Sequence, residues 1–205
     1  MKVNSKALEM TYIIRDEIRK LLSGREIRRI TDPNGTRAAV LVPLFEKENT
    51  WHILFIKRTT KVSHHKGQIS FPGGAYDEAD QTLETTALRE TFEEIGVNEE
   101  AIEILGELDD SRTVTSNYII SAFVGYIEYS QVNFQLHEFE IEEHFEVPLS
   151  VLLQRNNYSE GWYSYEGKLR PAYFYQYKQH VIWGATARIL KQFLDLIKPI
   201  FSSHS

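Results

Sequence analysis

Residues 71–96, FPGGAYDEADQTLETTALRETFEEIG, constrain this chain more than any other stretch. Phe71-Pro72-Gly73-Gly74 ends an apolar run, because Pro interrupts a strand ladder and Gly admits backbone angles closed to other residues. A short polar loop follows, then a helix. Asp80 or Thr82 can cap that helix, and Gly96 can close it in a left-handed conformation. At about 100° per residue, Glu90, Glu93 and Glu94 fall within one third of the wheel, with Leu88, Phe92 and Ile95 opposite. The expectation is a helix that packs through its apolar stripe and presents three carboxylates together. Like charges at i, i+3 and i+4 destabilise a helix unless something positive lies among them. Arg89, four residues before Glu93, is one such group. A bound divalent cation is another, since hard cations take oxygen ligands and keep room for substrate phosphates. A bare E-x-x-E-E is more often a solvated acidic face; the glycine turn at a fixed distance before it favours a site.

These residues resemble the signature of the Nudix hydrolases, which is a glycine, an acid, then R-E-x-x-E-E-x-G. Gly74, Arg89, Glu90, Glu93, Glu94 and Gly96 match it. The upstream acid is Asp80 rather than Glu, with one extra residue before Arg89, a variation similar to the coenzyme A pyrophosphatase branch. Residues 54–74, LFIKRTTKVSHHKGQISFPGG, also resemble that branch's own signature. Arg58, Gly67 and residues 71–74 match; Thr59 stands for Ser, and Ser63 stands where the pattern has Arg. The looser likeness runs on into the last third of the chain, through FEVPLSVLL and HVIWGATARIL.

The resemblance implies an α/β/α sandwich with a mixed sheet and the acidic helix beside it. It implies hydrolysis of a diphosphate linking a nucleoside to another group, with Mg²⁺ or Mn²⁺ held by Glu90, Glu93 and Glu94 and oriented through Arg89. Glu93 and Glu140 are candidates for the reacting step, with Glu143 second to Glu140. Arg58, His65, Gly73 and Gly74 are candidates for substrate contact. Coenzyme A as substrate would give adenosine 3′,5′-bisphosphate and 4′-phosphopantetheine. ADP-ribose, NADH or a similar dinucleotide is the alternative that Ser63 keeps open. A ligand-binding regulator without turnover is the reading from a different class, disfavoured because all three helix glutamates are intact.

Composition bounds the rest. At 205 residues, 42% hydrophobic and 25% charged, the chain is expected to be one domain over 1–205, with 1–24 as an N-terminal helical extension. A net charge of −6 argues against nonspecific nucleic-acid binding, although a metal can still supply local charge for an anionic small-molecule nucleotide substrate. Without cysteine there is no disulfide or thiol chemistry. No stretch approaches about 18 apolar residues, so no membrane span or leader is expected and a cytoplasmic enzyme is the default.

Along the chain, residues 6–23 predict an amphipathic helix with Leu8, Tyr12, Ile13, Ile18, Leu21 and Leu22 as its stripe. It would pack on the domain or on a second subunit, as in a homodimer. Arg25, Arg28 and Arg29 are read as solvated, with a substrate phosphate or partner chain as the alternative. Residues 38–45 and 51–58 predict a hairpin, with Pro43 marking an edge or bulge. Adjacent His64 and His65 point apart on any regular element, so nucleotide contact is preferred to metal binding. Residues 102–108 and 118–129 read as strands with a bulge or bend at Gly125, and Arg112 lies in the polar loop between them. Glu142 and Glu146 are read as plain surface charges, and 156–167 as a polar, aromatic-rich loop. A late hairpin over 172–177 and 179–183 precedes a helix from Gly184 to about Phe201. Tyr173, Phe174, Tyr175, Tyr177 and Trp183 are candidates to stack an adenine.

Overall fold

The computed structural model of the chain describes residues 5–60, 66–114, 116–165 and 167–203. Along them run α1 (Ser5–Ser23), β1 (Thr36–Lys47), β2 (Thr50–Arg58), β3 (Ile69–Ser70), β4 (Gly73–Ala75), α2 (Leu83–Ile95), β5 (Ile102–Glu107) and β6 (Ser111–Arg112). Then come β7 (Tyr118–Ile127), β8 (Ile141–Pro148), α3 (Leu149–Leu152), β9 (Tyr158–Tyr165), β10 (Lys168–Tyr177), β11 (His180–Ile182) and α4 (Gly184–Ser203). His65 and Ser63 lie outside the described residues.

The larger sheet runs β3-β2-β1-β7-β5, with β4 and β6 added to β1 and β7 and with β8 on β2. β1 and β7 are parallel and the other pairs antiparallel, so the sheet is mixed, as expected. β1 is a nearly unbroken apolar run because both of its faces are covered. Ala38, Val42 and Leu44 pack with Ile14, Ile18 and Leu22 of α1 and Phe193 of α4. Ala39 and Leu41, pointing the other way, pack with Ala87 of α2 and Phe123 of β7. The alternation of one strand thus separates two helical layers and makes the α/β/α sandwich. β11-β10-β9 form a second, three-stranded sheet.

Four local expectations change. Pro43 is in a central strand, not at an edge. It is tolerated because β1 pairs with β4 over Ala38–Val40 and with β2 only from Leu44, leaving Pro43 between the two partners on that side. The irregularity near Gly125 is in its partner: the β5 register shifts between Ile104 and Gly106. The expected loop 156–167 is mostly strand β9, paired in register with β10 from Tyr158 to Tyr165. Finally, α1 buries Thr11, Ile14, Ile18 and Leu22, whereas Leu8, Tyr12 and Ile13 are exposed. No described helix is long and apolar enough to cross a membrane.

Candidate active site

The glycine corner is built by strand pairing. β4 lies against β1 with Gly73 opposite Val40 and Gly74 opposite Ala39. Gly73 has φ of 154°, and a Cβ there would lie 2.3 Å from the Ala39 carbonyl oxygen, so only glycine fits. At Gly74 the space a Cβ would fill holds the Glu90 carboxylate, whose Cδ would be 2.4 Å away. The two glycines therefore bring the backbone against the first acid of α2.

α2 starts and stops as its residues dictate. The Thr82 side chain accepts from the Thr85 N–H, and Gly96 closes the helix at φ 72°. Asp80 does not cap it. It sits buried just upstream, where it accepts from the Thr86 hydroxyl (2.8 Å) and twice from Arg89, through Nε at 2.7 Å and Nη2 at 3.0 Å. The expected apolar stripe is corrected. Phe92 is 52% exposed, and the buried face is Thr86, Ala87, Thr91, Glu94 and Ile95. Small side chains on that face let the helix lie close to β1 and β4, and Glu94 is drawn inward because polar partners await it there.

The three glutamates consequently have different surroundings. Arg89 is anchored by Asp80 and reaches Glu90 at 2.8 Å and Glu93 at 3.0 Å through Nη1. Glu93 is the outermost, with its side chain 55% exposed. Glu94 accepts from Arg58 Nη1 at 2.7 Å and from the Gly73 N–H at 3.0 Å. Burial pushes the Glu94 carboxyl up to about 8 against the pull of Arg58 and the Gly73 N–H, and the neighbouring charges of Glu90 and Glu140 push the same way. Burial likewise raises Glu90, with Glu93 and Glu140 adding to it and Arg89 opposing.

Arg58 brings the second acidic cluster in. Its other nitrogen, Nη2, donates to Glu140 at 2.9 Å. The register between β2 and β8 shifts at Lys57/Arg58, which re-aims the Arg58 side chain toward α2. Thr59, beside it, pins the segment: its N–H donates to the Glu140 carbonyl and its hydroxyl to the Phe139 carbonyl, both at 2.7 Å. Residues 135 and 137 donate to the carbonyls of Ile95 and Glu94, holding this segment against the end of α2. Glu143 is not in this cluster; it lies near Lys57, which also binds Glu142. Glu146 is not a plain surface charge, since it pairs with Lys47 and accepts from the Tyr129 hydroxyl.

Among the described residues, no three acids or histidines already converge as a metal cage, because Arg89 and Arg58 hold these glutamates in ion pairs. The donor set itself is all carboxylates, two of them raised by burial with neighbouring acids adding to it, and is one that a hard divalent cation suits. The Thr59, Thr86 and Asp80 contacts were missed at the level of sequence. The sequence holds a signal for two of them: Thr59 directly follows the matched Arg58, and Asp80 stands in the place of the motif's upstream acid. Arg28 and Arg29 are exposed, as expected of solvated charges, yet all three arginines are ion-paired: Arg25, the most covered, and Arg28 bind Asp109, and Arg29 binds Glu107. Tyr175 is buried and Tyr173 stacks on Tyr158, which removes Tyr175 as a free adenine platform.

Asp80 yields a stability prediction. Its hydrogen bonds, the Arg89 pair first, hold its carboxyl down at about 2, below the ordinary carboxylate value. A lowered folded pKa adds stability that is full above the unfolded value near 4 and is lost as pH falls toward 2. Asp80→Asn is expected to cost about 2 kcal/mol at pH 7, with the gap to wild type closing as pH drops from about 4 to about 2. Urea denaturation across that range checks it; an undiminished gap at the acid end would put the cost down to packing.

Comparison with known proteins agrees with this geometry. The NUDIX domain family matches residues 35–170. NudL of Photorhabdus laumondii, an uncharacterized Nudix hydrolase, is 33% identical over 171 residues, covering 83% of this chain and 89% of its own. Nudix hydrolase 3 of Caenorhabditis elegans is 30% identical over 193 residues, covering 86% of this chain and 80% of its own. In fold, a MutT/nudix family protein from Enterococcus faecalis superposes with a TM-score of 0.55 at 15% identity, over 97% of this chain and 76% of that one. With its glycine corner, capped acidic helix and family match in one place, the chain belongs to the Nudix hydrolase family.

Proposed function

We propose that this enzyme is a divalent-metal-dependent pyrophosphatase that cleaves the diphosphate of coenzyme A or a derivative, giving adenosine 3′,5′-bisphosphate and 4′-phosphopantetheine. The observation that carries the reaction class is the meeting of Glu94 and Glu140 on Arg58, with Glu90 packed against Gly74 at the glycine corner. Nudix enzymes generally use divalent metal ions. Mg²⁺ or Mn²⁺ held by Glu90, Glu93 and Glu94 would neutralise the diphosphate and acidify water.

The chain's own residues do the rest. Arg89, locked by Asp80, fixes the directions of Glu90 and Glu93. Arg58 holds one oxygen of Glu140 and leaves that carboxylate part-exposed, so it can accept a proton from attacking water. Gly73 and Gly74 keep side chains away from the corner where the diphosphate would lie. We read 1–205 as one Nudix domain with 1–24 as its helical extension; the packing of α1 on the core with α4 supports this.

Coenzyme A as substrate rests on the upstream signature, to which Arg58 and Thr59 lend a physical role as organisers of Glu140. ADP-ribose or NADH is the second reading, favoured by Ser63 in place of Arg. Product analysis after incubation with Mg²⁺ or Mn²⁺ separates them. Adenosine 3′,5′-bisphosphate is expected to appear fastest, from coenzyme A. AMP from ADP-ribose or NADH alone would keep the chemistry and sink the coenzyme A assignment. No metal-dependent product from any of the three would overturn both.

A further inference from the structure

Away from the acidic cluster, a cleft of about 920 Å³ opens between the β9–β10 hairpin, α4 and residues 109–114 and 117. Arg28, Arg29, Arg112, Arg170, Arg188 and Lys191 line it. Four of these cations are neutralised: Arg28 by Asp109, Arg29 by Glu107, Arg112 by Asp32 and Lys191 by Asp195. Arg170 and Arg188 have no acid partner among the described residues.

Their surroundings make that unusual. Arg188 is partly buried, near Tyr163 and Tyr173, and donates to the Arg112 carbonyl. Burial and the neighbouring Arg170 charge both act against its charged form. The two residues come from different elements, Arg170 from β10 and Arg188 from the first turns of α4. A guanidinium is always charged in water and carries a planar fork of donors that matches phosphate oxygens. Two guanidinium groups without an acid partner among the described residues thus line one cleft, with Tyr163 and Tyr173 beside them.

We infer that the Arg170/Arg188 cleft is a second, metal-independent site that binds a phosphate group, either a phosphomonoester carried by the substrate itself or the phosphate of a separate ligand. The cleft neighbours the glycine corner through Arg37. Its guanidinium donates to Asp110 at 3.1 Å in the cleft wall, and its carbonyl accepts from the Tyr76 N–H at 3.0 Å, one residue past β4. Anion binding here stands independently of the acidic-site reading. Only the choice between the two sources rests on coenzyme A being a substrate.

The test is calorimetric titration of the full chain with inorganic pyrophosphate in EDTA, where the acidic cluster alone repels the probe. Saturable one-to-one binding is expected, weakening as salt rises. Arg170→Glu, on an exposed strand position, is expected to weaken it at least tenfold with an unchanged melting temperature, whereas Glu93→Gln leaves it intact. Absence of saturable binding, or equal affinity in folded Arg170→Glu, would overturn the site. Kinetics then assign the source. If the substrate's own phosphate enters, Arg170→Glu raises KM for coenzyme A about tenfold and leaves KM for dephospho-coenzyme A unchanged. Unchanged KM for both, with pyrophosphate binding still lost, assigns the cleft to a separate ligand.

Discussion

Glu93→Gln is expected to lower kcat by about 10²- to 10³-fold, within the range a positioned acid or base commonly contributes, while the protein stays folded. The two halves of that expectation come from one feature. Glu93 is the most exposed of the three helix glutamates, and its described partner is Arg89 at 3.0 Å, four residues back. Such an exposed helical pair is worth only about 0.3–0.5 kcal/mol. Gln keeps the length and shape but removes the charge that a divalent cation or a proton would need. Thermal denaturation beside steady-state kinetics checks both halves. Turnover at the parent rate would mean that the reacting groups lie elsewhere. Glu94 would be a poorer choice for this test: it is 3% exposed and tied to Arg58 and the Gly73 N–H, so its substitution would disturb fold and chemistry together.

Gly73→Ala is expected to produce the largest loss of stability, about 4 kcal/mol, from a left-handed backbone angle combined with a clash in the sheet. The added methyl would meet the Ala39 carbonyl at 2.3 Å and the Val40 Cα at 2.7 Å, both backbone atoms of a central strand that cannot yield. For a chain of this size that is a fall of roughly 10 °C in melting temperature. The position also carries the N–H that Glu94 accepts, so the cation-binding geometry should suffer in whatever fraction folds. A melting temperature equal to wild type would show that the β4–β1 corner is looser than its contacts imply.

Much of the frame was legible beforehand. Thr82, Gly96 and the glycine corner punctuate the chain through local backbone physics, which needs no distant partner. The β1–β2 hairpin follows from two apolar runs across a short turn, and Arg89 among the glutamates follows from helical spacing. Arg58 and Glu140 were both nominated, 82 residues apart, although nothing in the order of the residues said that they would meet.

Helical spacing failed where burial was set by partners on other strands. The wheel placed Phe92 inside because it is apolar and Glu94 outside because it is charged, and the fold did the reverse for both. The buried face of α2 had to be thin enough to lie on β1 and β4, which selected Ala87 and Thr91, and Glu94 could enter because Arg58 and the Gly73 N–H were waiting. Arg25 and Arg28 read as free because Asp109, their partner, lies more than 80 residues away. The sequence by itself determined the glycine turns, the central apolar strand runs and the set of acids, since each depends on neighbours within a few positions, whereas strand β9 needed its partner β10 to form. Tertiary structure alone decided which acid is buried, which arginine holds it and which arginines are left without a counter-charge, because the energy of a charge in a protein depends on partners brought together only by folding.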